Sequence, residues 1–260
     1  MTDLQIPCCI TTAPRTPSYL QDTYVSLYDA GFPSVIFAEP NSEVFPGPTV
    51  IQWPEKKGAW HSWKASVKCM LDSFPDAQYF LICQDDISVH PQSKLLLNTF
   101  LQKHPSDFGY FSLYTPTCFT YRGSHVPKKP GITIMAIRAA YGACALFFSR
   151  KTLQAIQNTK VWNSWLGIPA EHDPLGEFEK REKNPTLVKH VDAAISQMMV
   201  ELGLPMMYPV PSCCQHIGEF SSLGHAHAPI IPESQGMSRR IAQRIVDYTQ
   251  PILPQVFGAE

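Results

Sequence analysis

Asp85 and Asp86 are the residues of this chain best suited to chemistry, because they follow the apolar run Tyr79-Phe80-Leu81-Ile82-Cys83 with only Gln84 between. A buried strand of that kind delivers at least one of them to its rim. Adjacent carboxylates repel unless a cation joins them. Mg2+ or Mn2+, which take carboxylate and phosphate oxygens together, are the natural tenants. A helix cap or an ordinary polar turn is the competing reading of so short a motif.

Two further stations lie downstream. Cys213-Cys214-Gln215-His216-Ile217-Gly218 precedes Ser221, Ser222, Gly224, His225 and His227. Two cysteines and three histidines suggest zinc, but adjacent cysteines point apart and lack the spaced pairs of structural zinc motifs. His216 reaching the same hard metal as Asp86 is the preferred reading, and an ordinary loop histidine is the alternative. Asp192 opens an apolar helical stretch, where an aspartate is expected simply as a cap or dipole partner. It is also the acid between Asp86 and His216 best placed to act as a base, since Glu171, Asp173, Glu177, Glu179 and Glu182 crowd a polar loop.

The elements that must position these groups alternate in the first half as strand, helix, strand, helix, strand, the order of a parallel sheet covered by helices. Strands are expected at Ile6 to Thr12, Ser34 to Ala38 and Tyr79 to Cys83, with helices at Ser18 to Ala30 and His61 to Ser73. Later expectations are a helix at Ser93 to Lys103 and strands at Phe108 to Tyr114 and Ala143 to Ser149, the second running into a helix to Gln157. A helix at Val191 to Leu202, a strand at Met206 to Val210 and a terminal helix at Ser238 to Tyr248 complete the set. Thr115 to Pro130 and Asn163 to Pro185 are too long for simple connections and read as lids or disordered segments. In an open parallel sheet ligands bind beyond the carboxyl ends of the strands, which here gather Thr12, Arg15, Glu39, Asp85 and Asp86.

At 260 residues and 44% hydrophobic composition the chain is sized for one α/β domain with a substantial core. With 21 basic against 22 acidic residues and no long basic run, nucleic acid is not expected as a partner. Neither a signal peptide nor a transmembrane segment is recognisable. Most of the eight cysteines fall within apolar runs, as small buried hydrophobes do. A cytoplasmic chain is therefore expected, with peripheral association at a membrane left open.

Taken in order, the three stations resemble those of the GT-A glycosyltransferases, from about Ile6 to about Gly224. Gln84-Asp85-Asp86 resembles the family's Asp-x-Asp motif with glutamine at its first acidic position. The resemblance implies Asp86 as the direct metal ligand, with Asp85 nearer the donor ribose or sugar. Thr12-Ala13-Pro14-Arg15 is similar to the nucleotide loop after the first strand, and Glu39 to the acid that hydrogen-bonds base or ribose. Gly58-Ala59-Trp60-His61-Ser62-Trp63-Lys64 resembles the stretch that passes the donor, although Trp60 and Trp63 also suit helix packing. Val191-Asp192 resembles the helix start that supplies the base in inverting members, and Gln215-His216-Ile217-Gly218 a late metal-binding segment.

The resemblance implies a single α/β domain of GT-A type. Residues from about 6 to 105 would bind the nucleotide sugar, residues from about 106 to 225 the acceptor, and 226–260 would form a tail. The expected activity is transfer of a sugar from a nucleoside diphosphate, UDP-sugar favoured, to a glycan or other acceptor hydroxyl. Mn2+ or Mg2+ would sit on Asp86 and His216, Asp192 would act as base with inversion, and Arg15 and Lys64 would contact nucleotide or phosphate. A nucleotidyltransferase is a weaker alternative because Thr11 to Pro17 contains no glycine. A carbohydrate-binding protein of the same fold without turnover remains open through Gln84.

Overall fold

Successive residues of a strand point to opposite faces of a sheet, and β1 (Cys8–Thr12) and β4 (Tyr79–Gln84) are apolar on both faces. Cys8, Ile10, Leu81 and Cys83 enter one core cluster, whereas Cys9, Phe80 and Ile82 enter another. A strand buried on both faces needs helices on both sides. The computed structural model, which describes residues 4–104, 108–115, 131–135, 142–164 and 191–218, has that layering. α1 (Leu20–Asp29) and α3 (Ser93–Lys103) cover the first face. α2 (Gly58–Ser73), α4 (Arg150–Ile156), α5 (Lys160–Ser164) and α6 (Val191–Leu202) cover the second.

The central sheet is α/β in kind and mainly parallel. Besides β1 and β4 it contains β2 (Ser34–Ala38), β3 (Thr49–Gln52), β6 (Tyr110–Ser112), β7 (Gly131–Met135), β8 (Ala145–Ser149) and β9 (Met206–Val210). Their spatial order is β3-β2-β1-β4-β8-β6-β9-β7. The pairs β1–β2, β1–β4, β2–β3 and β6–β9 are parallel, whereas β4–β8, β6–β8 and β7–β9 are antiparallel. The strand order reverses between β1 and β4, and such a reversal opens a crevice at the carboxyl ends. A two-stranded sheet of β5 (Ile87–Val89) and β10 (Cys214–His216) stands beside that crevice.

The expected strands and helices recur, mostly with trimmed ends. Phe108 to Tyr114 contracts to β6, whereas the helix expected from His61 begins at Gly58. Two features go beyond what the sequence suggested. The connection between Ala38 and Gly58 contains β3, an edge strand bracketed by Pro48 and Pro54, where proline is tolerated. Beyond β4 the sheet is mixed, because β8 runs back along it. The helix expected at Ser238 to Tyr248 lies outside the described residues, as do most of the two long loops. Among the described residues no helix is long and apolar enough to cross a membrane, and the seven described cysteines are free thiols.

Candidate functional site

The turn after β4 is held from below before its carboxylates meet anything. Thr23 of α1 uses one hydroxyl twice, donating to the Ile87 carbonyl at 2.8 Å and accepting the Ile87 N–H at 3.0 Å. Ser26, one turn on, accepts the Val89 N–H at 3.1 Å. Asp85 and Asp86 are thus fixed at the carboxyl end of β4, with side chains only 2% and 9% exposed.

Charges buried that deeply require partners. The cation joining them is Arg15. Its Nη2 lies 2.8 Å from Asp85 Oδ1 and its Nη1 2.8 Å from Asp86 Oδ2, so one planar fork spans both acids. The guanidinium supplies the joining positive charge that two adjacent carboxylates require. Thr12 Oγ1 donates to Asp85 Oδ2 at 2.5 Å, which ties the loop after β1 to the acidic turn.

His216 is brought to the same point. β10 pairs with β5 so that His216 faces Ile87, and the Ile217 N–H donates to the Asp86 carbonyl at 2.8 Å. His216 Nε2 then sits 3.1 Å from Asp86 Oδ2. Gly218 permits this return, because a Cβ there would lie 2.7 Å from Asp86 Oδ2. Ser212 Oγ, accepting from Thr115 N–H at 3.0 Å, and Cys213 N–H, donating to the Leu113 carbonyl at 2.9 Å, fasten the segment upstream.

The two acids titrate in opposite directions. Burial pushes Asp85 up to about 6, against the pull of Arg15 and Thr12. Burial also acts on Asp86, but His216 and Arg15 outweigh it and hold that carboxyl down at about 2. Arg15 loses to burial and gains more from the two acids, so its pKa is raised.

A divalent cation is testable against these donors. Among the described residues no three His, Cys, Asp or Glu side chains converge as a ligand set, and Asp86 with His216 forms a pair. Asp86 Oδ1 is buried with no hydrogen-bond partner. One imidazole and one carboxylate with an unused oxygen fit a cation that completes its shell with phosphate and water oxygens. The cysteines of the zinc alternative, Cys213 and Cys214, are buried, their Sγ atoms facing the Pro211 and Gln215 carbonyls. His225 and His227 lie outside the described residues.

Asp192 is the fifth group at this edge. Its Oδ2 accepts the Gly142 N–H at 3.2 Å and its Oδ1 the Ala193 N–H at 2.8 Å. The strap before β8 links it to the acidic turn, since the Gln84 N–H donates to the Cys144 carbonyl at 2.8 Å. Both Asp86 and Asp192 act on the Cys144 thiol, which burial first and these charges next raise well above its ordinary pKa. Gly142 has φ of +76°, and a Cβ there would meet the Tyr114 ring at 2.9 Å. No sequence signal singled out Tyr114, whose ring approaches this strap and lies 6.4 Å from that of His216.

Glu39, Gly58 and Lys64 take separate places. Glu39 follows β2 and is 4% exposed; its Oε2 accepts the Lys57 N–H at 2.8 Å where α2 begins, and its Oε1 is buried without a hydrogen bond. Gly58 supplies the positive φ, +74°, from which α2 starts. Lys64 donates to the Trp162 carbonyl at 2.6 Å beneath the rings of Trp60 and Trp162. Those partners tie Lys64 to helix packing rather than to the acidic turn. Trp60 and Trp63 stack at 5.6 Å inside the same core, which makes both of them packing residues.

Comparison with known proteins yields no relative: no protein-family model matches the chain, and no curated protein does.

Proposed function

We propose that this chain is a metal-dependent glycosyltransferase of GT-A type, moving a sugar from a nucleoside diphosphate, UDP favoured, to an acceptor hydroxyl. The observation that carries the reading is the meeting of Arg15, Asp85, Asp86 and His216, from three distant parts of the chain, in the crevice between β1 and β4. A guanidinium fork, an imidazole and two acids at a strand-order reversal suit a metal-bound diphosphate more than an uncharged ligand.

Asp86 and His216 would hold Mn2+ or Mg2+, which when bound supplies Lewis-acid neutralisation of the leaving diphosphate. Arg15, whose guanidinium lies on Asp85 and Asp86, would contact phosphate oxygens at the edge of the acidic turn. Glu39, with Oε1 buried and unused, would accept a ribose or base donor. Asp192 takes the acceptor hydroxyl proton while that oxygen bonds to the anomeric carbon. The bond from that carbon to the diphosphate oxygen breaks with its electron pair leaving on the diphosphate, and the configuration inverts. Gly142 and Ala193 N–H groups hold the Asp192 carboxylate in orientation and leave lone pairs on both oxygens for the proton.

One observation favours the alternative of a carbohydrate-binding protein without turnover: both Asp192 oxygens already serve main-chain N–H groups, as a purely structural residue would. Thermal unfolding with UDP, UDP-sugars and Mn2+, separately and together, tests the main reading through mass action. Stabilisation by UDP that requires Mn2+ and disappears in Asp86→Ala is expected. Equal stabilisation in excess chelator would defeat it, and donor binding without any turnover would establish the alternative.

A further inference from the structure

Two buried polar atoms just beyond β2 have no hydrogen-bond partner. They are Glu39 Oε1 and Ser42 Oγ, in residues only 4% and 7% exposed. Both belong to one tight turn. Pro40 presets φ at its second position, Asn41 takes a positive φ of +64° at its third, and the Ser42 N–H closes it onto the Glu39 carbonyl at 3.1 Å. That is the residue pattern of a type II turn. Folded chains rarely leave such atoms unsatisfied, because each gives up its hydrogen bonds to water for nothing in return.

The N–H groups that frame the turn are already committed. The Lys57 N–H donates to Glu39 Oε2 at 2.8 Å and the Glu39 N–H to the Thr12 carbonyl at 2.9 Å. Trp53 donates its main-chain N–H to the Ala38 carbonyl at 2.8 Å and its indole N–H to Ser62 Oγ at 3.1 Å. What the turn holds unused is one carboxylate oxygen, which only accepts, and one hydroxyl, which can also donate. Because β2, β1 and β4 are consecutive in the sheet, the turn lies two strand spacings, about 10 Å, from the acidic turn along the same edge. A ribose joins base to diphosphate across a gap of that order.

We infer that the Glu39–Ser42 turn reads the base of the nucleotide and selects a ring N–H beside a carbonyl, the edge that uracil and guanine carry and cytosine and adenine lack. The inference rests on the proposed function and deepens it, by naming the bases the site takes and by assigning Ser42 to that choice. Glu39 Oε1 accepts the ring N–H, and the Ser42 hydroxyl donates to the adjoining carbonyl. Cytosine and adenine present a bare ring nitrogen at that place, which sets one acceptor against another and leaves the carboxylate oxygen unpaired. Buried polar groups left unpaired reject a wrong ligand far more strongly than a lost apolar contact does.

The test is calorimetric titration of UDP, GDP, CDP and ADP, each with MnCl2, into wild type, Glu39→Gln and Ser42→Ala, with circular dichroism to confirm folding. Wild type is expected to bind UDP or GDP at least about ten-fold more tightly than CDP and ADP. Glu39→Gln keeps an oxygen for the Lys57 N–H and offers an amide N–H to the base. It should weaken the preferred nucleotide about ten-fold or more and move the ratio towards CDP. Ser42→Ala, which carries the test if Glu39→Gln does not fold, should weaken the preferred nucleotide roughly five-fold and leave CDP within about two-fold. Wild type that binds CDP or ADP as tightly as UDP and GDP, or ratios that neither folded variant changes, overturns the inference and leaves the function standing. No Mn2+-dependent binding of any nucleoside diphosphate overturns both.

Discussion

Asp85→Asn isolates the energetic consequence of burying two acids under one arginine. The Asp85 carboxyl rises from 3.8 to about 6 through burial. A group raised in this way contributes stability in full below 3.8 and loses it as pH climbs through about 6. Asp86 is lowered from 3.8 to about 2, where His216 and Arg15 outweigh burial. Its contribution is complete above 3.8 and is lost only as pH falls through about 2. Between about pH 4 and pH 7 the changing share is therefore Asp85's, and a shift of about two pK units corresponds to roughly 3 kcal/mol. Asparagine keeps an oxygen for Arg15 and an amide for Thr12 while removing the ionisation. Urea unfolding in chelator across that pH range should show wild type losing about 3 kcal/mol relative to Asp85→Asn as pH rises. A difference between the two proteins that does not vary with pH would refute the assignment.

Three other outcomes are expected. Asp192→Asn should leave nucleotide-sugar affinity within a few fold and lower transfer by roughly 10²–10⁴, read by steady-state kinetics; near wild-type transfer removes Asp192 from the mechanism. Gly218→Ala pushes a Cβ to 2.7 Å from Asp86 Oδ2, so it should cost about 1–3 kcal/mol in urea unfolding and weaken Mn2+-dependent UDP binding in titration. Arg150→Met strips donors from the Ala77, Phe74 and Leu71 carbonyls at the end of α2. A loss of roughly 2–4 kcal/mol in the same assay, with UDP affinity retained, is the expected result.

How far the sequence revealed the molecule depends on how far each signal is local. The β4 run announced itself because both faces are covered, which leaves no polar residue from Phe80 to Cys83. An apolar run carries no direction, so the antiparallel course of β8 was not legible. β5 and β10 are three residues each, too short for any period to register, and they are what delivers His216 to Asp86. The types of the site residues could be read from strand ends, but the Arg15 fork could not, since it depends on where a loop without regular structure turns. Lys64 shows the same limit: its Trp162 partner lies 98 residues away and could not be read from the residues beside it.

The pairing of β10 with β5 also governs when the acidic turn acquires its histidine. Asp86 and His216 are 130 residues apart, and closing a loop of that size costs about 4 kcal/mol of chain entropy, against a ladder only three residues long. Local units such as β1–α1–β2 fold without that cost, so the histidine docks late. During synthesis, at roughly 5–20 residues per second, Asp86 emerges about ten seconds before His216 does. Through that interval Arg15, only 71 residues from Asp86 and already made, is the available counter-charge. The growing chain thus brings a counter-charge to its acids from within, before the histidine arrives.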